Sequence, residues 1–521
     1  MPSPSPSPSP PPSPAAVIWS SLGLPEDYLL RHLKLVGNTN TVVDSSFRIG
    51  EAAQTSVGLA ALGAVYFHQL RNGTGGEEGQ DVSVDARHAV LEFNSHKYYT
   101  VNGEPYGKDF DPLMGLYKTK GNGYVRLHTN FPHHRRGILQ ILNIPDTPEV
   151  TKQHVQNALL QQQWNALDFE RVAAEKEEGV CAFALRSFEQ WDATPQAKAL
   201  RGVPPVFIRK VGEAPKRKRK RSVTPLEGVR VLDLSRVLAG PVAGRTLAAH
   251  GADVLLVTSE KLPGLPGLDV DTSRGKRTTR LDLDLNGEGK GGGREKLREL
   301  VAGADVFLQA YRPGALEGRG FGVGDVVRMR GGGREHGIVC ANLCAWGWEG
   351  PWKGRRGFDS LVQTASGLNV AEAEAYAQFT GAKEPSLTPK PFPVQALDYS
   401  AGYLLAFGIN AALCKTVTEG GSWEVNVSLA AVGQWVRSLG RIEPEVAFGR
   451  GVPLPKDSNA EEIQKLSVDW RGRGGEKVIM RALKHPAVLE KTPVREGREG
   501  EPGAPVVLDK DEPEWVEQAG M

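Results

Sequence analysis

Cysteine is scarce in this chain of 521 residues. The four cysteines lie far apart or in apolar runs and form no CxxC pair; they are Cys181, Cys340, Cys344 and Cys414. A small secreted domain held together by disulfides needs a denser, evenly paired set. We therefore expect reduced, buried thiols in a reducing compartment, and the cytoplasm is the default location.

An excess of charge of one sign is also missing. The 63 basic and 61 acidic side chains nearly cancel, so the overall charge does not favour a nucleic-acid or membrane partner. No apolar run approaches the roughly 18 residues that a membrane-spanning helix needs, and no charged-then-apolar leader is present. These absences predict a soluble protein without a nucleic-acid or membrane partner.

Two segments have a strongly biased composition. The first 16 residues are dominated by a Ser-Pro tract, which cannot bury apolar surface and is predicted to be disordered. Six consecutive basic residues, Lys216 to Arg221, follow later. We interpret this run as part of a solvated linker over residues 212–224 that joins two globular halves. A targeting signal or an anion-binding patch stays open as the alternative.

After this linker, strand-like runs alternate with short helical segments. The runs are "VRVLDLS", "ADVLLVT", "RLDLDL", "GADVFLQA" and "GIVCANLCAW". Such alternation predicts an α/β fold with a parallel, doubly wound, Rossmann-like sheet. Two glycine-rich patches, "NGEGKGGGREK" and "RGGGREHG", lack the Ser or Thr that completes a phosphate-binding loop, so we expect them to be loop insertions.

The chain contains a partial internal repeat. The segments that begin at Gly58 and at Gly402 both have an apolar helical stretch, a Gly-Gly turn, an alternating strand and another helix. Four residues before Gly402 is Asp398, whereas Gln54 stands four residues before Gly58. Asp398 is either a helix N-cap or a group that performs chemistry. The absence of an acid in the other copy favours chemistry.

Six ordered motifs over residues 226–439 resemble the class III coenzyme A transferases, the CaiB–BaiF family. The motifs read "VLDLSRVLAGP", "LAAHGADV", "SRGKRTTRLDL", "ADVFLQAYRPGAL", "GFDSLVQTASGL" and "ALDYSAGY" with "EGGSWEVNVSL". The N-terminal half resembles the part of the family that follows the acid, including its smaller α+β domain. The predicted division is a disordered tail (1–16), an N-terminal partial copy (17–211), the linker (212–224), the core domain (225–440) and a shortened small-domain-like tail (441–521).

The resemblance implies transfer of coenzyme A from an acyl-CoA to a carboxylic acid through an aspartyl-CoA thioester. The matching nucleophile is Asp398, and no metal is implied. The coenzyme A contacts implied by the same motifs are Val237, Leu238, Ala239, Lys276, Arg277, Arg312 and Arg319. The chain departs from the family at Ala310, where an Asn is common, and in the displacement of a basic residue to Arg319. Both departures fall among the positions that the resemblance assigns to coenzyme A binding.

Two alternatives stay open. The same fold hosts α-methylacyl-CoA racemases, whose proton-transferring histidine would stand at Phe358, a residue that cannot move a proton. The other alternative is a catalytically inactive member that acts as a binding protein. The family forms interlocked dimers, so the resemblance implies a homodimer or, because of the fused partial copy, an intramolecular pseudo-dimer. A further cluster, His128, His133 and His134, is interpreted as interdomain or surface histidines rather than as a metal site.

Overall fold

The computed structural model describes residues 12–73, 79–107, 110–176, 179–283, 292–330, 336–382, 388–472 and 477–516. Most of the Ser-Pro tract and parts of both glycine-rich patches lie outside these residues, so the structure does not test the predictions made for them. The first helix begins at Pro14, where the Ser13 hydroxyl accepts a hydrogen bond from the Ala16 N–H at 3.2 Å. The end of the predicted disordered tail, residues 14–16, is therefore helical.

The N-terminal part contains one long buried helix and several short elements around it. These elements are α1 (Pro14–Ser21), α2 (Glu26–His32), β1 (Leu33–Val36), α3 (Ile49–Asn72), β2 (Val82–Asp85), α4 (Ala86–Glu92), β3 (Thr100–Val101) and β4 (Glu104–Pro105).

A smaller α+β unit follows, with three antiparallel strands, three helices and a hydrophobic core of its own. It consists of β5 (Gly115–Lys118), β6 (Tyr124–Leu127), α5 (Pro132–Ile141), α6 (Lys152–Gln161), α7 (Ala166–Glu175) and β7 (Ala182–Ala184). The chain then leaves this unit through α8 (Phe188–Asp192), α9 (Pro195–Ala199) and β8 (Phe207–Gly212).

The second half builds the main sheet. Its elements are β9 (Arg230–Leu234), α10 (Ala239–Ala249), β10 (Asp253–Thr258), α11 (Pro266–Thr272), β11 (Arg277–Arg280), α12 (Gly293–Gly303), β12 (Val306–Gln309), α13 (Val323–Arg330), β13 (Val339–Cys344), α14 (Asp359–Ala365), α15 (Leu368–Thr380), α16 (Ala396–Thr418), β14 (Ser422–Ser428) and α17 (Leu429–Ser438). The tail adds α18 (Pro444–Ala447), α19 (Glu461–Leu466), β15 (Ser467–Arg471), β16 (Ile479–Leu483) and β17 (Ala487–Leu489).

The strand order of the main sheet confirms the doubly wound prediction. The order is β11-β10-β9-β12-β13-β14-β8, in which the first six strands are parallel and β8 is an antiparallel edge. Within the second half this is the order 3-2-1-4-5-6 of dinucleotide-binding folds. Apolar side chains of the strands feed one core on the side of α10 and α16 and another on the side of α12 and α13. The order reverses between β9 and β12, and ligands bind such folds at the carboxyl ends of the strands at that point.

The structure places one of the predicted strands earlier in the chain. The alternating run "RLDLDL" begins at Arg280, but β11 ends there and comprises Arg277–Arg280, which pair with Leu255–Thr258 of β10. Pairing with the neighbouring strand, rather than local alternation, therefore sets where β11 lies.

The two halves repeat one architecture in part. In the first half, β1 and β2 pair in parallel, α3 connects them, and α4 follows β2. In the second half β13 and β14 pair in parallel, α16 precedes β14, and α17 follows it. The two long helices α3 and α16 pack against each other, and the Asn410 amide donates to the Ala60 carbonyl at 2.9 Å.

Each half also receives a strand from elsewhere in the chain. Strand β8, from the end of the first half, pairs antiparallel with β14, whereas β17, from the tail, pairs antiparallel with β2. The tail strand β16 likewise pairs with β3. The halves are therefore interlocked through exchanged strands within one polypeptide.

A buried cluster of charges joins the halves. Arg245 of α10 is paired with Glu92 of α4 and, at 2.7 Å, with Asp271 of α11. Ser95 donates to Asp271 at 2.7 Å, and the Tyr403 hydroxyl donates to Glu92 at 3.0 Å. Buried charges need such complete pairing because desolvation otherwise penalises them heavily.

Helix α16 is the one helix in the described residues long and apolar enough to cross a membrane by length and composition. Because 89% of its most apolar window is buried inside the protein, it is positioned as a core helix.

The basic run before β9 is partly docked onto the protein: the Arg217 side chain is 9% exposed and pairs with Asp305 at 3.1 Å. The interpretation of this run as fully solvated was therefore wrong for Arg217.

Candidate active site

A cleft of about 460 Å³ lies at the carboxyl ends of the parallel strands, where the strand order reverses. The residues that follow β9 and β12, namely Arg236 to Gly240 and Ala310 to Pro313, form two of its walls. This is the position at which doubly wound sheets bind ligands. Asp398 borders the same cleft, together with Phe358.

Asp398 is the third residue of α16, and the N-cap is Gln395. The interpretation of Asp398 as the cap is therefore wrong. The capping function belongs to Asp359, whose Oδ2 accepts hydrogen bonds from the N–H groups of Leu397 at 2.7 Å and Asp398 at 3.0 Å. The Asp398 side chain is therefore not used as the cap and is available for chemistry. Its position in the first turn of a helix favours its negative charge.

The carboxylates of Asp359 and Asp398 repel each other when both are charged. Burial raises the pKa of Asp359 to about 6, although hydrogen bonds from the N–H groups of Asp398 and Leu397 and from the Gln363 amide act in the opposite direction. Burial and the nearby Asp359 charge raise the pKa of Asp398 well above its ordinary value. Asp359 accepts hydrogen bonds from three donors, whereas none is found for the Asp398 carboxylate among the described residues, so the first negative charge of the pair is favoured on Asp359.

The turn between β9 and α10 is strained. Val237 has a φ of +73°, a conformation that a β-branched residue rarely adopts. Strain of this kind costs about 1 to 3 kcal/mol and is typical of functional sites. Gly240 permits the close packing that follows, because a Cβ there would lie 2.5 Å from the Ser235 Cβ and 2.8 Å from the Ala310 Cβ. The first turn of α10, whose N–H groups have no partners within the helix, consequently borders the cleft.

The cleft is strongly basic. Two acids, Asp282 and Asp398, line it among the described residues, against seven cationic side chains: Arg236, Lys261, Arg312, Arg319, Lys353, Arg355 and Arg356. Some of these cations have protein partners, since Lys261 pairs with Asp282 at 2.7 Å and Arg355 pairs with Glu170 at 2.9 Å. The remaining positive charge favours a ligand with several phosphate groups.

The structure brings five of the seven predicted coenzyme A contacts together. Val237, Leu238, Ala239, Arg312 and Arg319 all line the cleft with Asp398. The sequence prediction missed Arg236, Lys261, Lys353, Arg355 and Arg356. The dense basic run in "PWKGRRGF", directly before the Phe358 motif, was the available signal for three of them.

Lys276 and Arg277 lie away from the cleft. The Lys276 ammonium is fully buried, 2.8 Å from Asp233 and 2.9 Å from the Pro241 carbonyl, where it fixes α10 to β9. Arg277 makes two 2.9 Å hydrogen bonds to Asp253. Arg277 stands at the amino end of β11, whereas the Lys276 ammonium contacts the first turn of α10 without lining the cleft. We therefore leave them out of the proposed binding site.

The N-terminal half completes the site of the second half. Phe131, His133 and His134, from the smaller α+β unit, line the cleft opposite the sheet. His128 of the same unit stacks on Phe358, with ring centroids 3.8 Å apart and an interplanar angle of 3°. No group of three or more metal-ligating side chains is found in the described part of the chain, and these histidines serve as wall residues.

A second, smaller cavity, here called the inner compartment, lies beside Asp398. Asp398, Val237, Leu238 and Phe358 border both cavities, and the inner compartment has a volume of about 30 Å³. Its other lining side chains include Phe110, Met114, His128, Asn130, Leu265 and Leu268. Asp398 therefore stands between a large basic cleft and a small, mostly apolar space.

In the first half, Gln54 has a structural role at the position that corresponds to Asp398. Its amide donates at 2.8 Å to the carbonyls of Val36 in β1 and Val84 in β2. The described residues of the first half contain no counterpart of β9 and its turn into α10. The chain thus has one acid-bearing site of this type among the described residues.

Comparison with known proteins gives a family match for part of the chain. Residues 226–440 match the model of CoA-transferase family III. The acetyl-coenzyme A transferase nodX of Hypoxylon pulicicidum is 26% identical over 79% of this chain and 73% of its own length. A probable fatty acyl-CoA transferase of Mycobacterium tuberculosis is 32% identical over 41% of this chain and 53% of its own. A succinyl-CoA:glutarate CoA-transferase of Mus musculus is 36% identical over 28% of this chain and 34% of its own.

These matches differ in how much of each relative they cover. The chain spans about three quarters of the Hypoxylon protein but only about half and one third of the other two. Among solved structures, a hypothetical protein of M. tuberculosis is 30% identical over 42% of this chain and 57% of its own, with a TM-score of 0.33. A CaiB/BaiF family protein of Brucella suis is 24% identical over 45% of this chain, also with a TM-score of 0.33. Structural likeness at this level carries no weight for function.

Proposed function

Because residues 226–440 match the model of CoA-transferase family III, we propose that the chain transfers coenzyme A from an acyl-CoA to a carboxylic acid, with Asp398 as nucleophile. The observation that carries the proposal is the position of Asp398. It lies in the first turn of a buried helix, between a basic cleft and a small apolar compartment, while a second carboxylate caps that helix.

In the proposed reaction, attack by a carboxylate releases a thiolate, and attack by that thiolate releases a carboxylate. The ionised Asp398 oxygen attacks the thioester carbonyl carbon, and the carbon–sulfur bond breaks to release the coenzyme A thiolate. The thiolate then attacks the carboxyl carbon of Asp398 in the mixed anhydride, which gives an aspartyl-CoA thioester and the free donor acid. The acceptor carboxylate reverses these two steps, so Asp398 is regenerated.

Two features of the site support this chemistry. Asp398 is 9% exposed, so water solvates the nucleophile little and competes poorly for the reactive anhydride. Ala239 and Gly240, in the first turn of α10, line the same cleft. The N–H groups at the start of a helix lack partners within the helix, so they can stabilise an oxyanion formed at the thioester carbonyl.

The basic side chains of the cleft are suited to bind the coenzyme A part of the acyl-CoA donor. Coenzyme A carries a pyrophosphate and a 3′-phosphate, and arginine is well suited to bind phosphate oxygens. Arg312, Arg319 and Arg356 lie in the cleft, so we assign them to the phosphates. Val237, Leu238 and Ala239 would then lie along the nucleotide or its pantetheine arm.

The racemase alternative has less support. Phe358 cannot transfer a proton, and the neighbouring His128 is a poor replacement because burial lowers the pKa of its imidazole to about 3. A ring with so low a pKa binds protons too weakly to exchange the α-hydrogen of an acyl-CoA efficiently at neutral pH.

A transfer assay with labelled acyl-CoA and free carboxylic acids tests the proposal. We expect coenzyme A to move to the acid with the wild-type chain, and the rate to fall at least about a thousandfold with Asp398→Asn. In D₂O, retention of the α-hydrogen of the acyl group is expected. Exchange of that hydrogen without coenzyme A transfer would replace the transferase proposal by the racemase.

A further inference from the structure

The inner compartment points to the class of acyl group that the site accepts. We propose that it selects short, uncharged acyl chains, on the order of two to four carbons, and rejects dicarboxylic acyl groups. This inference rests on the proposed function, since it takes Asp398 to be the residue that receives the acyl group. It adds a substrate class, which neither the family match nor the relatives' names assign to this chain.

The first support is position. Asp398 borders both cavities, and the basic cleft is the side suited to the phosphates of coenzyme A. With the nucleotide on that side and the thioester carbon at Asp398, the acyl chain extends toward the inner compartment. Val237 and Leu238, from the strained turn, border both cavities at this boundary.

The second support is size. A cavity needs roughly 10 to 15 Å³ of this volume to hold one water-sized group. The inner compartment has about 30 Å³, which is room for about two such groups. Phe110, Leu265 and Leu268 form part of its wall, and Leu268 is 5% exposed. A long fatty acyl chain would require these side chains to move.

The third support is charge. The charged residues that line the compartment are Asp359 and Asp398, both acids, and no lysine or arginine lines it among the described residues. The distal carboxylate of a succinyl or glutaryl group would lie beside these two acids. The buried Arg126 does not line the compartment, and its charge already acts on Asp359. Burying an unpaired charge is strongly unfavourable.

The polar side chains in the compartment do not change this conclusion. His128 is buried, and burial lowers the pKa of its imidazole to about 3, so it does not supply a positive charge at neutral pH. The Asn130 carbonyl oxygen already accepts a hydrogen bond from the Asp111 N–H at 3.0 Å. The Asn130 amide group is 3.5 Å from His128, so it offers a hydrogen bond but no charge.

The experiment compares acetyl-, propionyl-, hexanoyl-, succinyl- and glutaryl-CoA as donors for the full chain. The rate of hydroxamate formation on the Asp398 peptide is measured by mass spectrometry in the presence of hydroxylamine. We expect acetyl- and propionyl-CoA to react at least about tenfold faster than the other three. Equal or faster reaction of succinyl- or glutaryl-CoA, or of hexanoyl-CoA, would overturn the inference.

A charge-insertion variant sharpens the comparison. Met114→Lys places a cation at the compartment wall, so we expect it to raise the succinyl-to-acetyl rate ratio at least about tenfold. Leu167→Lys adds the same charge to the same α+β unit at a side chain that is 62% exposed, and the ratio should stay at the wild-type value. If Met114→Lys does not fold, the donor series with the wild-type chain still decides the question.

The outcomes separate the two proposals. Labelling of Asp398 by dicarboxylic donors in preference to short ones contradicts the inference and leaves the transferase proposal standing. Absence of labelling by every donor, from a chain that is folded and binds coenzyme A, contradicts the transferase proposal and the inference with it.

Discussion

At the scale of single residues, Asp359 caps the helix that carries Asp398 and repels the Asp398 carboxylate electrostatically. Its Oδ2 accepts hydrogen bonds from the N–H groups at the start of α16, so it fixes the backbone of Asp398, the proposed nucleophile. Its charge, together with burial, raises the pKa of Asp398. Since the nucleophile must be ionised, the same neighbour that positions Asp398 also makes its reactive form harder to reach at low pH.

This arrangement predicts a pH dependence. The rate of Asp398 labelling should rise with pH as Asp398 loses its proton, because its pKa is raised. Asp359→Asn removes the like charge and should move the midpoint of that rise toward lower pH. Asp282→Asn, in the same cleft but paired with Lys261, serves as the control and should leave the midpoint in place. A midpoint unchanged in Asp359→Asn would contradict the electrostatic coupling.

The basic side chains allow a test of which residues bind coenzyme A. Arg312 lines the cleft, whereas Arg277 is held by Asp253 at the other edge of the sheet. A hydrogen bond to a charged group contributes about 1.5 to 3 kcal/mol. Arg312→Ala should therefore raise the KM for acyl-CoA about tenfold or more, and Arg277→Ala should leave it unchanged. The opposite result in steady-state kinetics would return the binding site to Arg277.

The sequence was informative for some of these residues and not for others. Contiguous motifs grouped Val237, Leu238 and Ala239, and all three line the cleft, because a strand that ends in a tight turn carries the next residues to the edge of the sheet. Their contact with coenzyme A stays a prediction. Lys276 and Arg277 do not line the cleft, and the motif alone does not show that β11 begins at Arg277. Pairing between Asp359 and α16 spans 39 residues and has no local sequence signal.

At the scale of elements, α10 contributes both to the candidate active site and to the contact between the halves. Its first turn borders the cleft, and Arg245 further along it enters the buried charged cluster. Gly402 lets α16 pack closely against it, since a Cβ there would lie 2.5 Å from the Ala239 carbonyl oxygen. The strands and helices that form this framework were predictable from the alternation of apolar runs. The pairing of α10 with α4 was not, because it is a long-range contact.

The cluster predicts a large loss of stability on truncation. Arg245→Ala leaves Glu92 and Asp271 buried with one cation fewer, and removing one partner of a buried ion pair costs about 3 to 5 kcal/mol. Arg171→Ala removes an exposed pair with Glu175 and should cost less than about 1 kcal/mol. Urea unfolding of both variants measures the difference. A loss for Arg245→Ala as small as that for Arg171→Ala would show that the cluster contributes little to holding the halves together.

At the scale of the whole molecule, two incomplete copies build one site. The second half provides the sheet and Asp398, and the first half contributes Phe131, His133 and His134 to the opposite wall. Strands β8 and β17 cross between the halves, so neither half has its own complete sheet. That a single chain works as a pseudo-dimer stays a prediction.

The repeat itself was visible in the sequence, whereas the exchange of strands was not. The matched Gly-Gly and alternating strand positions revealed the relation between α3 and α16. The destinations of β8 and β17 depend on which sheet edge each strand meets, and short strands such as Ala487–Leu489 carry too little pattern to specify a partner. Gln54 stands at the position that corresponds to Asp398, and its amide joins β1 to β2.

Trapping of the aspartyl thioester tests the central claim most directly. The chain is incubated with acetyl-CoA, treated with hydroxylamine and digested, and the peptide that contains Asp398 is examined by mass spectrometry. We expect a hydroxamate on Asp398 in the wild-type chain and an unmodified peptide in Asp398→Ala. A hydroxamate on another residue, or coenzyme A transfer that persists in folded Asp398→Ala, would contradict the assignment of Asp398 as the nucleophile.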